Sequence, residues 1–354
     1  MSKKMLNLDD IELHFLLAKG RTGSTLISRV LNSHPSVVSP MEEPFLLFLS
    51  AKYKECVFNS KSELSHFIDD LILFSRFNMV FGLYDKKELI TFVEPYLSNL
   101  TYINLCKLVY LYSSSEADLS KVKFIIDKQL SYLVLIKDLV EICPKSKIII
   151  LTRNPLDNAV VCKNGGYGRN DLLFQVECWR QYYSYNIKKV FDQQAGMTVK
   201  YEDFVRDPIM SGNQLASFIG FNFSVESVMV KSHNIDSFWK NSGGGNSEEI
   251  RAQFEKSNGS LNYPISTEKV GLWERQLSSA EKEEAIKLLQ DLPIIWGYDF
   301  TAGLNKLKQR PKIISRLRIV EAKIRSRIVL ETYMKTPFII RKLVKLFRKK
   351  VSRS

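Results

Sequence analysis

A run of small and basic residues near the N-terminus has the composition of an anion-binding turn. Residues 20–25 read Gly-Arg-Thr-Gly-Ser-Thr and follow an apolar run at 13–18. The two glycines permit backbone angles that other residues avoid, and Ser24 and Thr25 can cap the helix predicted to follow. N–H groups in the first turn of such a helix favour a phosphate or sulfate, and Arg21 adds a positive charge. The pattern predicts a strand, an anion-binding loop and a helix.

This turn lacks the lysine of ATP-binding loops. The phosphate-binding pattern of P-loop NTPases ends in Gly-Lys-Ser/Thr, whereas Gly23 is followed directly by Ser24. The missing lysine counts against a kinase or an ATPase. The alternative interpretation is that the glycines only allow a tight connection between a strand and a helix.

A second predicted strand also ends in an arginine. Residues 147–152 form an apolar and β-branched run, Arg153 follows it, and Pro155 stands at a position that favours a helix start. Ligands of open parallel sheets bind at the carboxyl ends of the strands, so Arg21 and Arg153 are predicted to bracket one polyanion. The alternative is a simple ion pair between Arg153 and Asp157.

Together these segments resemble the sulfotransferases that use 3′-phosphoadenosine-5′-phosphosulfate (PAPS), in the branch of the tyrosylprotein and carbohydrate sulfotransferases and their bacterial relatives. Residues 20–25 are similar to that family's 5′-phosphosulfate loop, and residues 151–159 to its 3′-phosphate segment. Further similar segments follow in the same order over residues 12–300: Asn32-Ser-His-Pro35, Asp127-Lys128, 199–205 with Asp207-Pro208, Gly271-Leu-Trp273 and Gly297-Tyr298. The resemblance implies an α/β fold with a P-loop-like central parallel sheet flanked by helices.

The resemblance also implies a donor and the residues that hold it. PAPS is expected as donor, PAP as product, and no metal is expected. The residues expected to bind the nucleotide are Arg21, Thr22, Gly23, Ser24, Thr25 and Arg153, with Tyr201 and Lys269 as secondary candidates. Many members of the family have a serine eight residues after the binding arginine, where this chain has Val161. Lys163 is a candidate to supply charge in its place.

Two adjacent carboxylates follow the first predicted helix. By resemblance to the tyrosine sulfotransferases, Glu43 is expected to remove the proton of the acceptor. Glu42 stays open as the base, because the spacing from His34-Pro35 is one residue longer here. Both acids would also suit a helix N-terminus beside Pro44. His34 is assigned to the turn that closes the helix, and the predicted catalytic residues are Glu43, Arg21 and Lys128, the last expected near the leaving oxygen.

The net charge of +13 is concentrated at the C-terminus. From Lys306 onwards there are 17 Lys or Arg and only two acids, Glu321 and Glu331, so the rest of the chain is close to neutral. Apolar residues recur at helical spacing in this tail, with Pro337 as an interruption. Basic amphipathic helices suit anionic membrane surfaces, and packing against the domain is the alternative. We expect an α/β domain over residues 1–302 and a basic helical tail over 303–354.

A coarse pattern of strands and helices fills the domain. A helical insertion at about 45–113 is expected to shape the acceptor side, and a glycine- and serine-rich loop is expected at 241–264. The repeated strand and helix order predicts parallel strands. Further strands are predicted at 122–126, 147–152 and 197–201, and helices at 131–142 and 155–193.

These features favour an enzyme over other classes of protein. Five scattered cysteines indicate reduced thiols, and the lack of a secretory signal or a membrane-span pattern indicates a cytoplasmic protein, peripheral at the inner face of the membrane if the tail binds there. No nucleic-acid partner is expected. The leading hypothesis is sulfuryl transfer from PAPS to a hydroxyl or amine of a carbohydrate, glycolipid or other envelope acceptor. A nucleotide-dependent phosphotransferase and a non-catalytic membrane- or partner-binding module are the alternatives.

Overall fold

The computed structural model describes residues 5–40, 42–75, 84–114, 117–165, 169–228, 263–289, 296–299 and 313–351. Nearly all of the loop predicted at 241–264 lies outside the described residues.

A five-stranded parallel sheet forms the centre of the domain, in the spatial order β2-β5-β1-β6-β7. Its central strand β1 lies between β5, where Lys128 is opposite Leu16, and β6, where Leu151 is opposite Ala18. A separate antiparallel pair, β3 and β4, lies in the insertion. The strands are β1 (Glu12–Ala18), β2 (Val37–Val38), β3 (Val57–Phe58), β4 (Leu100–Thr101), β5 (Phe124–Gln129), β6 (Ile148–Thr152) and β7 (Gly196–Lys200).

Helices connect the strands and cover both faces of the sheet. The helices before β6 are α1 (Ser24–Asn32), α2 (Phe45–Tyr53), α3 (Lys61–Phe74), α4 (Lys86–Val93), α5 (Tyr102–Tyr112) and α6 (Ile136–Ile142). The helices up to residue 289 are α7 (Pro155–Asn164), α8 (Leu172–Tyr182), α9 (Tyr185–Phe191), α10 (Tyr201–Arg206), α11 (Pro208–Ile219), α12 (Leu272–Gln276) and α13 (Ser279–Leu289). The tail contains α14 (Ile313–Lys323), a π-helical turn (Ile324–Ile328), α15 (Val329–Lys335) and α16 (Phe338–Val351).

Alternate side chains of β1 enter two separate apolar cores. Phe15 and Leu17 pack into the core that contains the helical insertion, whereas Leu16 and Ala18 pack into the core on the opposite face. Strands of a parallel sheet are buried on both faces, which is why the β1 sequence is a continuous apolar run rather than an alternating one. The predicted α/β fold with a helix-flanked parallel sheet is confirmed.

Several element boundaries differ from the sequence prediction. The region predicted as one helical stretch at 155–193 contains α7, α8 and α9, and the region at 45–113 contains the β3–β4 pair among its helices. The edge strand β2 was not predicted. Two-residue strands are too short to show the period that identifies longer strands, so only pairing with distant residues reveals them.

The described helices include none that is both long enough and apolar enough to cross a bilayer. All five cysteines are free thiols, and four of them are buried.

Candidate functional site

The loop between β1 and α1 has a backbone that few side chains tolerate. Arg21 has a φ of 65° and Gly23 a φ of 99°. A Cβ atom at Gly23 would lie 2.5 Å from the Tyr201 ring, so the aromatic ring and the loop are in direct contact. Gly23 is the N-cap of α1 and no side chain caps this helix, which corrects the expectation that Ser24 and Thr25 cap it. The start of α1 therefore retains the uncapped N–H groups that favour an anion.

Hydrogen bonds of buried polar side chains fix the backbone of this loop. The Lys19 ammonium donates to Asn158 Oδ1 at 2.8 Å, and Asn158 Nδ2 donates to the Gly20 carbonyl at 3.0 Å. The Thr22 hydroxyl donates to the Lys19 carbonyl at 2.6 Å, and the Thr22 side chain is fully buried. Lys19 and Asn158 are not among the predicted site residues, although a lysine directly after an apolar run is a signal that the sequence offers.

Arg153 joins three segments of the chain. Its guanidinium donates to the carbonyls of Arg21 and Lys269, and it lies 4.4 Å from the centre of the Tyr201 ring. Only 2% of the residue is exposed. Trp179 Nε1 in α8 donates to the Arg153 carbonyl at 3.0 Å, which fixes the backbone at the end of β6. The two predicted arginines are therefore brought together.

Asp157 does not pair with Arg153, contrary to the alternative interpretation of the sequence. Its carboxylate accepts hydrogen bonds from the backbone N–H groups of Gly271 at 2.8 Å and Trp273 at 3.0 Å. This buried carboxylate thereby fixes the segment that follows Lys269. The substitute cation proposed in the sequence analysis, Lys163, forms an ion pair with Glu281 at 3.1 Å instead of facing the arginines.

A cavity of about 210 Å³ opens above the loop. Of the predicted donor-binding residues, only Thr22 does not line it. Burial and the charges of Arg21 and Arg153 lower the pKa of the Lys269 ammonium. Three cations therefore share one small space, and Glu268 is the one acidic residue among the described residues of the lining. The lining consists of Arg21, Gly23, Ser24, Thr25, Leu26, Arg153, Val161, Tyr201, Val205, Tyr263, Pro264, Ile265, Ser266, Glu268 and Lys269.

The predicted catalytic carboxylates lie outside this cavity. Glu42 accepts a hydrogen bond from the Lys128 ammonium at 3.0 Å, and its side chain is 27% exposed. Glu43 is 2% exposed and accepts from the Ser75 hydroxyl at 2.9 Å. Of the two adjacent acids, Glu42 is thus the one that is open to solvent.

Another buried carboxylate lies beside Lys128. Asp127 is fully buried and accepts hydrogen bonds from the Tyr110 hydroxyl and from Gln129 Nε2, each at 2.7 Å. Burial raises the pKa of Asp127 to about 7, and the charge of Glu42 acts in the same direction. A pKa of about 7 means that the Asp127 carboxyl group is largely protonated under mildly acidic conditions.

The strand order places the predicted site residues in a row at the carboxyl ends of neighbouring strands. Lys128 stands in β5 next to β1, whose loop carries Arg21, whereas Arg153 follows β6 and Tyr201 follows β7. Neighbouring strands lie about 4.8 Å apart. The loop also approaches the end of β5 directly, since a Cβ atom at Gly20 would lie 3.6 Å from Leu130 Cδ1. The cation-lined cavity and the Glu42–Lys128 pair therefore lie at the same end of the sheet, where the strands end.

His34 contributes to a turn rather than to this row. Its Nδ1 lies 2.8 Å from the Ser36 hydroxyl, and its ring packs 4.7 Å from the ring of Phe221. Burial lowers the pKa of this imidazole.

Residues 15–224 match the model of the sulfotransferase family. This chain belongs to the sulfotransferase family. The matched region includes the second half of β1 with its loop, the Glu42–Lys128 pair and Arg153, and it ends after α11. No match was found among curated proteins.

Solved sulfotransferase structures are similar to the chain over most of its length. The sulfotransferase domain from the curacin biosynthetic pathway has 20% sequence identity and a TM-score of 0.49, covering 80% of this chain and 99% of that one. The sulfotransferase domain of the Synechococcus PCC 7002 olefin synthase has 18% identity and a TM-score of 0.48, with 83% and 99% covered. A sulfotransferase from Alicyclobacillus acidocaldarius has 15% identity and a TM-score of 0.37, with 77% and 98% covered.

Among the described residues, no three His, Cys, Asp or Glu side chains come together as a metal site.

Proposed function

We propose that this chain transfers the sulfuryl group of PAPS to a hydroxyl or amine of an acceptor. The observation that carries the proposal is the convergence of Arg21, Arg153 and Lys269 around the uncapped start of α1. PAPS supplies an activated sulfuryl group on a phosphate together with a second phosphate, and this polyanionic nucleotide matches a cavity lined by three cations. The residues present therefore fit the donor that the family resemblance implies.

The residues of the loop and those next to it have different roles in the proposed donor site. The N–H groups of Ser24 and Thr25 and the Arg21 guanidinium neutralise the charge that develops on the departing phosphate. Arg153 and Lys269 provide positive charge at the other side of the cavity, where Val161 stands in place of the usual serine. Tyr201 supports the loop through its contact with Gly23 and Arg153.

We assign the proton transfer to Glu42 rather than to the initially predicted Glu43. A general base must reach the proton that it removes, and Glu43 is almost fully enclosed whereas Glu42 is partly exposed. In the transfer step the acceptor oxygen or nitrogen forms a bond to sulfur, and the bond from sulfur to the phosphate oxygen breaks. The acceptor proton passes to Glu42, and Lys128, which lies 3.0 Å from this carboxylate, stabilises the departing charge.

The acceptor proposed for this site is a carbohydrate, a glycolipid or another envelope molecule with a free hydroxyl or amine. We also propose that the enzyme acts in the cytoplasm at the inner face of the membrane. The support for this location is the concentration of basic residues after Lys306.

Calorimetry with PAP tests the donor site. Arg21→Ala and Arg153→Ala should each weaken PAP binding about 10- to 100-fold, as expected for the loss of a hydrogen bond to a charged group. Arg206→Ala is the matched control, since the Arg206 side chain is 60% exposed and lies outside the cavity. Failure of the parent chain to bind PAP, or unchanged affinity in both cavity variants, would contradict the proposal. Hydrolysis of ATP at this site would favour the phosphotransferase alternative.

A further inference from the structure

The last helix, α16, packs on the domain through its basic side. The Arg341 guanidinium is 2% exposed and donates to the Phe48 carbonyl of α2 at 2.9 Å. Lys342 forms an ion pair at 2.6 Å with Asp70, a fully buried carboxylate of α3. At the start of α16, the Phe338 ring stacks 5.2 Å from Phe74. The contacts between α16 and the domain therefore use charges that an ordinary surface helix would turn to solvent.

The opposite side of α16 exposes a continuous apolar stripe. Its members recur at spacings of one, three and four residues, which place them on one face of a helix. Leu343 is 59% exposed and Phe347 is 69% exposed, so these are not side chains that an adjacent element covers. The stripe consists of Ile339, Ile340, Leu343, Val344, Leu346 and Phe347.

The positive charge of the segment that carries this stripe indicates which kind of partner can bind it. From Phe338 to the end of the chain the sequence has no acidic residue and seven Lys or Arg, of which Arg341 and Lys342 contact the domain and five remain to give this segment its positive charge. A second copy of the chain would bring the same positive charge to the contact, and like charges oppose association. An anionic lipid surface accepts an apolar helix face and attracts basic residues at the same time. We propose that the apolar stripe of α16 is the surface by which this protein docks on an anionic membrane.

The docked helix lies next to the residues proposed to act on the acceptor. Helix α2 begins two residues after Glu43, and α3 ends next to Ser75, whose hydroxyl donates to Glu43. Because α16 packs on both helices, it lies on the same helices of the insertion that flank Glu42 and Glu43 in sequence and contact. This part of the inference rests on the proposed sulfuryl transfer, and it narrows the acceptor to a hydroxyl or amine anchored in the lipid surface.

Vesicle sedimentation of the full chain tests the docking surface without donor or acceptor. The parent should bind vesicles that mix phosphatidylglycerol with phosphatidylcholine, and bind them less at high salt. Leu343→Glu together with Phe347→Glu should reduce this binding at least about tenfold, since charge on the apolar face opposes insertion. Ile209→Glu with Met210→Glu is the matched control, because these apolar residues of α11 are also exposed. PAP affinity and thermal unfolding of each variant report whether the fold and the donor site are intact.

Three results would overturn the docking surface. They are a parent chain that does not bind the anionic vesicles, a stripe variant that binds them like the parent, and a lipid-free dimer that the stripe substitutions dissociate.

Transfer of labelled sulfate from PAPS to an envelope extract tests the acceptor class. Label is expected in the organic-solvent fraction, and label confined to the aqueous fraction would overturn a lipid-anchored acceptor. Lack of PAP binding would instead count against the proposed activity itself, whatever the vesicles show.

Discussion

The two halves of the site differ in how the chain builds them. The proposed donor half lies over β1, β6 and β7, and each of its cationic or aromatic groups but Lys269 and Tyr263 stands within three residues of a strand end. The proposed acceptor half lies over β2 and β5, and it depends on helices that approach from the insertion and from the tail. An anion can be bound by local backbone geometry, whereas the environment of a carboxylate requires packing between distant segments. The residues of the donor half are therefore easier to predict from the sequence than those of the acceptor half.

The largest expected effect separates the two adjacent acids of the acceptor half. Glu42→Gln should reduce turnover about 10²- to 10⁴-fold, the usual contribution of a general base, while PAP affinity stays near that of the parent. Glu43→Gln is the matched variant, and it should reduce turnover less because Glu43 is enclosed and held by Ser75. Steady-state assays with labelled PAPS measure both. The opposite ranking would return the base to Glu43.

The next effect concerns the backbone of the donor half. Gly23→Ala should weaken PAP binding about 10- to 100-fold, because a positive φ costs a residue with a Cβ about 1–3 kcal/mol and the new atom meets the Tyr201 ring. Gly20→Ala provides the control within the same loop, since its Cβ would meet nothing closer than 3.6 Å. Calorimetry with PAP compares the two. Equal affinities would show that the loop does not hold the nucleotide.

A smaller effect should appear as a change in the pH dependence of PAP binding. The pKa of Lys269 is lowered by burial and by two arginines, and a bound anion should raise it again. PAP binding should then be accompanied by uptake of a proton at alkaline pH. The affinity for PAP should fall as the pH rises through the pKa that Lys269 has in the protein without PAP. Lys269→Met should bind about tenfold more weakly near neutral pH and lose this alkaline dependence. Calorimetry in buffers of different ionisation enthalpy detects the proton, and an unchanged profile in the variant would exclude Lys269 from the site.

The last prediction concerns stability rather than function, and it involves Asp127, the buried carboxylate next to Lys128 in sequence. Folded Asp127 keeps its proton up to about pH 7, whereas an unfolded aspartate releases it near pH 4. The folded state binds more protons in this interval, so Asp127 makes the free energy of unfolding decrease as the pH rises, by about 1 kcal/mol per pH unit. Asp127→Asn should remove this slope in urea unfolding curves. Asp203→Asn, at an exposed side chain, should leave it in place, and a slope that survives in Asp127→Asn would contradict the assignment.

The sequence prediction was confirmed for the fold, and it placed several cavity residues correctly where they follow a strand end. The apolar run at 13–18, the glycines of the loop and Arg153 after β6 led to the fold and to about half of the residues that line the cavity. It failed for Asp157 and Lys163, whose partners Gly271, Trp273 and Glu281 are more than 100 positions away. A charge pattern does not reveal a partner that only packing brings into contact.

The amino-acid sequence by itself determined the parallel sheet, the anion-binding loop and the basic tail, because apolar periodicity, glycine and charge act over a few residues. Only the tertiary structure decided that Lys269 joins the two arginines, that Glu42 rather than Glu43 is exposed, and that α16 turns its basic side inward. Each of these outcomes depends on long-range packing. Burial is a property of the assembled chain, and the same glutamate or leucine acquires a different role when a distant helix covers it or leaves it open.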